Sequence, residues 1–266
     1  MARKTPSHTS QPEKSELPTV ELRFYEELND FLPEEQRKRT ITREILGTPS
    51  VKDVIESCGV PHTEIELILV DGASVGFDRR LKGGERVAVY PVFESFDVGS
   101  LVRLREHPMR VPGFVVDENL GRLARLLRLL GFDAAYDPGL DDAEIAELSA
   151  SEHRVVLTRD RGLLMRRIIT HGYYVRSQVP REQAAEVLAR LDLAGSVHTF
   201  TRCTECNGPI VPRDKQEVRD LLPHNTRRSY DVFFQCSRCG KVFWRGAHWE
   251  NLQRLVTDII REANAR

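Results

Sequence analysis

The sequence predicts an α/β protein of three units in series. A mixed unit comes first, a central unit with a parallel sheet follows, and a small cysteine-bound unit ends the series. Three observations carry that expectation. Apolar residues alternate over residues 20–24, short apolar strands alternate with amphipathic helices over residues 114–191, and Cys203-x-x-Cys206 is matched by Cys236-x-x-Cys239. At 266 residues the chain is long for a single domain. Its 40% hydrophobic and 30% charged residues exclude wholesale disorder. No apolar run approaches the roughly 18–20 residues of a membrane span, and the polar residues 1–18 lack the core of a secretory signal. A soluble, cytoplasmic protein with no membrane partner is expected.

Residues 1–17, rich in Pro, Ser and Thr, read as a disordered leader. The first compact unit is placed at residues 18–98. Val20, Leu22 and Phe24 alternate as in a half-buried strand, and residues 40–46 offer a second. Ser50 with Asp53 three residues on reads as a capped helix start, with Val51, Val54 and Ile55 as its apolar face and Gly59 as its end. Residues 64–70 form a third strand closed by the Asp71-Gly72 turn, and Val87 and Val89 mark a last one. The order is β-β-α-β-β. A linker rich in charge and proline is expected over residues 99–113.

The central unit is placed at residues 114–198. Phe114-Val115-Val116 is a short buried strand, residues 119–130 a helix closed by Gly131, and residues 133–136 a second strand. Residues 141–151 form a helix, Val155-Val156-Leu157 another strand, and a further helix leads to a strand at 173–176 and a helix at 181–191. Strands alternating with helices argue a parallel sheet. The last unit, residues 199–266, contains the cysteine pairs and a final helix over residues 250–263, expected to pack on the cysteine-bound unit.

The net charge of −1 hides an uneven distribution. Residues 17–98 are acidic in balance, whereas the stretch from Arg154 to Arg181 is basic and contains a single acid, Asp160. Such a field attracts anions, although a solvated basic face gives the same pattern. Asp117 and Asp160 each directly follow an apolar strand, and in open α/β sheets those strand ends line the ligand crevice. Asp142 opens the helix after the second central strand. Carboxylates crowded together call for a cation, and hard oxygen donors suit Mg²⁺ or Mn²⁺ in a site for phosphodiester cleavage. The competing reading makes these acids helix caps or ordinary loop residues, and Asp141 competes with Asp142 as the third acid.

Arg122, Arg125 and Arg128 recur at three-residue steps opposite a leucine face. They read either as a row of phosphate contacts, with Arg159 adding to it, or as the solvated side of an amphipathic helix. Cys203, Cys206, Cys236 and Cys239 have the spacing of a tetrahedral structural Zn²⁺ site. Cys58, alone, reads as a small buried hydrophobe. In residues 242–249 aromatics alternate with Arg and His. They suit either base stacking or packing of the cysteine unit on its neighbour.

Two resemblances extend this reading. Residues 81–91 (LKGGERVAVYP) with the β-β-α-β-β order resemble a ubiquitin-like β-grasp domain in the style of small sulfur-carrier proteins. Such carriers act through a free terminal Gly-Gly. Here Gly83-Gly84 precedes a strand, which argues against that chemistry and for a module that docks a protein partner. Residues 116–133 (VDENLGRLARLLRLLGFD) and Leu157-Thr158-Arg159-Asp160 resemble the signatures of the Mut-seven C-terminal RNase family, of PIN-like α/β fold with a zinc ribbon. The resemblance covers roughly residues 114–250, and a preceding β-grasp unit is itself an arrangement of this family. It implies a metal-dependent ribonuclease with Asp117, Asp142 and Asp160 as the catalytic acids. The alternative is a non-catalytic RNA-binding adaptor on the same scaffold.

Overall fold

The computed structural model describes residues 17–91 and 112–266. The expected leader, apart from Leu17, and the expected linker, apart from Pro112 and Gly113, lie outside them. The described residues form two compact units, one of residues 17–58 and 65–91 and the other of residues 59–64 and 112–266.

The first unit contains strands Thr19–Phe24 (β1) and Thr40–Glu44 (β2), helix Val51–Ser57 (α1), and strands Ile65–Val70 (β3), Ala73–Ser74 (β4) and Arg86–Pro91 (β5). Their sheet order is β2-β1-β5-β3-β4, with β1 parallel to β5 and the other pairs antiparallel. This is the ubiquitin-like fold. Alternation works as expected in β1, where Val20, Leu22 and Phe24 are buried while Thr19 and Glu21 are exposed. Ser50 Oγ accepts the Asp53 N–H at 3.1 Å and Asp53 Oδ2 accepts the Ser50 N–H at 3.2 Å, closing the capping box. Two details depart from expectation. The second strand stops at Glu44, because Leu46 is exposed and the chain turns at Gly47. The short β4 is additional: Asp71 and Gly72, both at positive φ, fold it back onto β3.

The second unit opens with strand Phe114–Val116 (β6), helix Gly121–Leu129 (α2), strand Ala134–Ala135 (β7), helix Asp142–Glu152 (α3) and strand Val155–Thr158 (β8). Helix Arg161–Leu164 (α4), strand Gly172–Tyr174 (β9) and helix Pro180–Arg190 (α5) complete the parallel sheet β7-β6-β8-β9 and its cover. Phe114, Val116, Val155 and Leu157 pack with α2 and α5, while Val115 and Val156 pack with Ile145, Ala146, Leu163 and Leu164 of α3 and α4. Burial of both faces explains why β6 and β8 read as unbroken apolar runs. α2 ends at Gly131, which has φ +98°. A Cβ there would lie 2.0 Å from the His198 carbonyl oxygen, so only glycine fits.

Beyond α5, strands Ile210–Arg213 (β10), Phe233–Cys236 (β11) and Val242–Trp244 (β12) form an antiparallel ribbon in chain order. Helices Lys215–Val218 (α6) and His224–Ser229 (α7) lie between the first two of these strands, and helix Trp249–Asn264 (α8) follows the third. Val218, Leu222 and Phe233 form the ribbon's own small core, with Tyr230, Val242 and Trp244 packed on it. α8 corrects an expectation. Its Val256, Ile259 and Ala263 join the core of α2 and α5 rather than the ribbon, and Arg181 of α5 pairs with Glu262 at 2.6 Å. The apolar stripe of a four-turn helix needs more partner surface than so small a core offers. Among the described residues no helix is long and apolar enough to cross a membrane.

Candidate functional site

Parallel pairing of β6 with β8 aligns Val116 with Leu157, so the chain leaves both strands at the same end of the sheet. Asp117 emerges there and is 7% exposed. Its Oδ1 accepts the Glu118 N–H at 2.7 Å, and its Oδ2 accepts the Thr158 hydroxyl at 2.6 Å. The same hydroxyl oxygen accepts the Asp160 N–H at 2.8 Å. One buried threonine thus fixes the positions of two acids. Asp160 is exposed and caps α4 through Oδ1, which takes the Gly162 N–H at 2.6 Å. Sequence reasoning singled out both acids and passed over Thr158, although its place between strand and acid was visible.

At the start of α3 the two neighbouring aspartates divide their work. Asp141 is the N-cap, its Oδ1 accepting the N–H groups of Ala143 and Glu144 in a capping box. Asp142 makes no cap, and its Oδ2 lies 3.5 Å from Arg166. Asp117, Asp142 and Asp160 all line one cleft of about 1170 Å³, together with Glu118, Asp141 and Arg166. Their oxygens share this space without forming a tight cluster. Among the described residues, the group of acids, histidines and cysteines whose ligand atoms all lie within 4.8 Å of one another is Cys203, Cys206, Cys236 and Cys239.

The loop after β9 reaches the same cleft through Gln178. Glu186 of α5 accepts the N–H of Arg176 at 2.8 Å and of Ser177 at 3.0 Å. Arg159 donates to the carbonyls of Val175, Arg176 and Ser177, and Gln183 to that of Ser177. Arg159 lines the cleft, but one of its terminal nitrogens is spent on holding this loop.

The arginine row does not act as one face. Arg122 and Arg125 are exposed on α2, whereas Arg128 is buried. Its guanidinium donates to the carbonyls of Ala134, Thr204 and Glu205 at 2.9, 3.2 and 2.8 Å. The expectation that Arg128 contacts RNA is therefore corrected: the side chain fastens the first cysteine turn to α2 and β7. Asn207 strengthens the joint, accepting the Ala134 N–H and donating to Asp133.

The cysteines meet between that turn and the one joining β11 to β12. The Cys203–Cys239 and Cys206–Cys236 sulfur distances are 3.8 and 3.4 Å. A tetrahedral ion with metal–sulfur bonds of about 2.3 Å needs sulfurs roughly 3.8 Å apart, so the four can hold a structural metal such as zinc. Burial pushes the Cys203 and Cys206 thiols up. Burial also opposes the thiolate at Cys236, but the N–H groups of Cys239 and Arg238 and the neighbouring thiols bring it down to about 7. Both tryptophans of the last segment take packing roles. Trp244 lies on the ribbon core, and Trp249 meets Phe200 with ring centroids 4.2 Å apart. Cys58 is buried, as expected.

An α/β domain with acids at the strand ends, a cysteine ribbon beyond it in sequence and a ubiquitin-like unit before it make a composite architecture. The chain belongs to the Mut7-C RNAse domain family, whose model matches residues 112–256, and the Mut7-C ubiquitin model matches residues 17–97. No curated protein and no solved structure matches the chain.

Proposed function

We propose that this protein is a metal-dependent ribonuclease that hydrolyses RNA phosphodiester bonds in the acid cleft. The observation that carries the reading is that Asp117, Asp142 and Asp160, from three separate elements, line a single cleft in a chain of an RNase family. Their oxygen donors suit Mg²⁺ or Mn²⁺. Asp141 lines the same cleft as the cap of α3, and Asp142, the acid that the family resemblance matches, is taken as the third ligand. Bound there, the cation supplies neutralisation of phosphate charge and a more acidic water. Thr158 holds Asp117 and Asp160 in place, while Arg122, Arg125 and Arg166 offer phosphate contacts. The four cysteines hold Zn²⁺, and reduced thiols of this kind fit the cytoplasm. The N-terminal unit is assigned the docking of a protein partner, since its Gly83-Gly84 is a turn at φ +107° and +90°.

The test is cleavage of labelled single-stranded RNA with Mg²⁺ or Mn²⁺. Asp117→Asn, Asp142→Asn and Asp160→Asn should each reduce cleavage to background while RNA binding persists. Asp141→Ala should instead cost about 1 kcal/mol of stability, as a lost cap does, and retain cleavage. A parent protein that binds RNA and never cleaves it with either metal would turn the assignment to the adaptor.

A further inference from the structure

We propose that a second pocket, beside the acid cleft, is a nucleobase subsite that receives one unpaired base of single-stranded RNA next to the bond to be cut. The proposal rests on the ribonuclease reading above and adds to it how the substrate is gripped. The pocket measures about 480 Å³ and is lined by Asn119, Arg122, Arg125, Tyr136, Gln178 and Gln183, among others. Asn119, Gln178 and Gln183 also line the acid cleft, so the two spaces adjoin.

Tyr136 is a built part of this pocket. A Cβ on Gly121 would lie 2.5 Å from the Tyr136 hydroxyl oxygen and 2.6 Å from Cζ, so the ring lies directly against the first residue of α2. The hydroxyl donates to the Glu118 carbonyl at 3.1 Å, which ties the ring to the residue after Asp117. Gly121 therefore makes room for an aromatic side chain, half-buried and anchored at its far end. Such a ring offers an ordered face at little entropic cost to binding.

The chemistry of the lining matches a nucleotide. Every base has a π-face that stacks on an aromatic ring, and the side-chain amides of Asn119 and Gln178, both exposed, can donate to and accept from a base edge. Arg122 and Arg125, exposed on α2, supply charge for the flanking phosphates. A paired base cannot enter without leaving its stack, so the subsite favours single strands over duplex.

The experiment uses full-length protein carrying Asp160→Asn, so that the RNA is not consumed, and a series of short labelled single-stranded RNAs each with one abasic nucleotide. At fixed salt, removal of one particular base should weaken binding about fivefold or more. Adding Tyr136→Leu, which fills the space without a π-face, should abolish the penalty at that position, and Tyr136→Phe should keep it. A series in which no abasic position distinguishes the Tyr136→Leu protein from its background overturns the proposal. If Tyr136→Leu does not melt cooperatively, the exposed Asn119→Ala decides. It should level the affinities for RNAs that differ in that base, and an unchanged preference overturns the proposal. Cleavage by the parent is read separately. A parent that cleaves RNA while the abasic series is flat loses the subsite and keeps the ribonuclease reading. A parent that does not cleave while the series responds loses the ribonuclease reading alone.

Discussion

The acid cleft and the cysteine cluster belong to the same unit, yet their donor atoms are arranged in opposite ways. Four sulfurs lie within 4.8 Å of one another, whereas the carboxylates of Asp117, Asp142 and Asp160 are spread round a cleft of about 1170 Å³. The difference lies in the partners. The sulfurs face one another, where burial favours the neutral thiol at Cys203 and Cys206 while neighbouring N–H groups favour the thiolate at Cys236. Each carboxylate is held by other groups: the Thr158 hydroxyl for Asp117, Arg166 for Asp142, the Gly162 N–H for Asp160. A closed cluster suits a structural role. An open one leaves room for a substrate.

The largest effect should come from emptying the closed site. Purified protein should contain one Zn²⁺ per chain, and Cys236→Ser or strong chelation should release it. Structural zinc is worth on the order of 10 kcal/mol in isolated fingers, so the ribbon should lose its fold. Limited proteolysis should then cut within residues 199–250 while the ubiquitin-like unit stays resistant. The same chelator treatment should strip the cation proposed for the acid cleft with little change in melting temperature, because no element there depends on an ion for its partners. Equal sensitivity of the two regions would break the contrast.

A smaller effect separates the arginines that sequence spacing had grouped. Arg128→Ala should cost about 2–4 kcal/mol, since it leaves three carbonyls without their donor. Arg122→Gln should change stability by less than about 0.5 kcal/mol and lower the slope of log K against log salt for single-stranded RNA by roughly 0.7. Thermal melting and a salt titration read the two quantities. An Arg128→Ala protein as stable as its parent would return that residue to the solvated face.

The arginine row also marks the limit of what the sequence discloses. A three-residue step on a helix falls about 60° short of a full turn, so Arg128 lies about 120° round from Arg122 and reaches the edge of the apolar face. Periodicity shows that drift. It does not show that the carbonyls of Thr204 and Glu205, more than seventy residues on, are there to be bound. Local signals fared better: Ser50 with Asp53 and the apolar runs of β6 and β8 mark elements that form where expected, because their partners are neighbours in sequence or strands of one sheet. Strand-end position marked Asp117 and Asp160, and a helix start marked Asp142, and all three line one cleft. Tyr136 and the core contacts of α8 were illegible for the same reason as Arg128. Their partners are distant in sequence, and nothing in their own neighbourhoods names them.

The smallest expected effect concerns Asp133, an acid that serves the cysteine side and not the cleft. Burial raises its carboxyl, but hydrogen bonds from Arg154 and Asn207 and the charges of Arg154 and Arg202 outweigh it, so it lies below its ordinary value. A carboxylate depressed in the folded state stabilises the fold above its unfolded pKa, about 3.9, and loses that contribution as the pH falls through its lower folded value. Asp133→Asn should therefore cost stability at neutral pH, by about 1 kcal/mol or less for a pair that is part exposed. The gap between parent and variant should narrow as the pH drops below about 4. Denaturant melts of the zinc-loaded protein at a series of pH values would measure it. A gap that is constant with pH would mean that Asp133 acts through hydrogen-bond geometry that Asn does not reproduce, and not through its charge. The joint between β7 and the first cysteine turn would then depend on hydrogen bonds and not on charge.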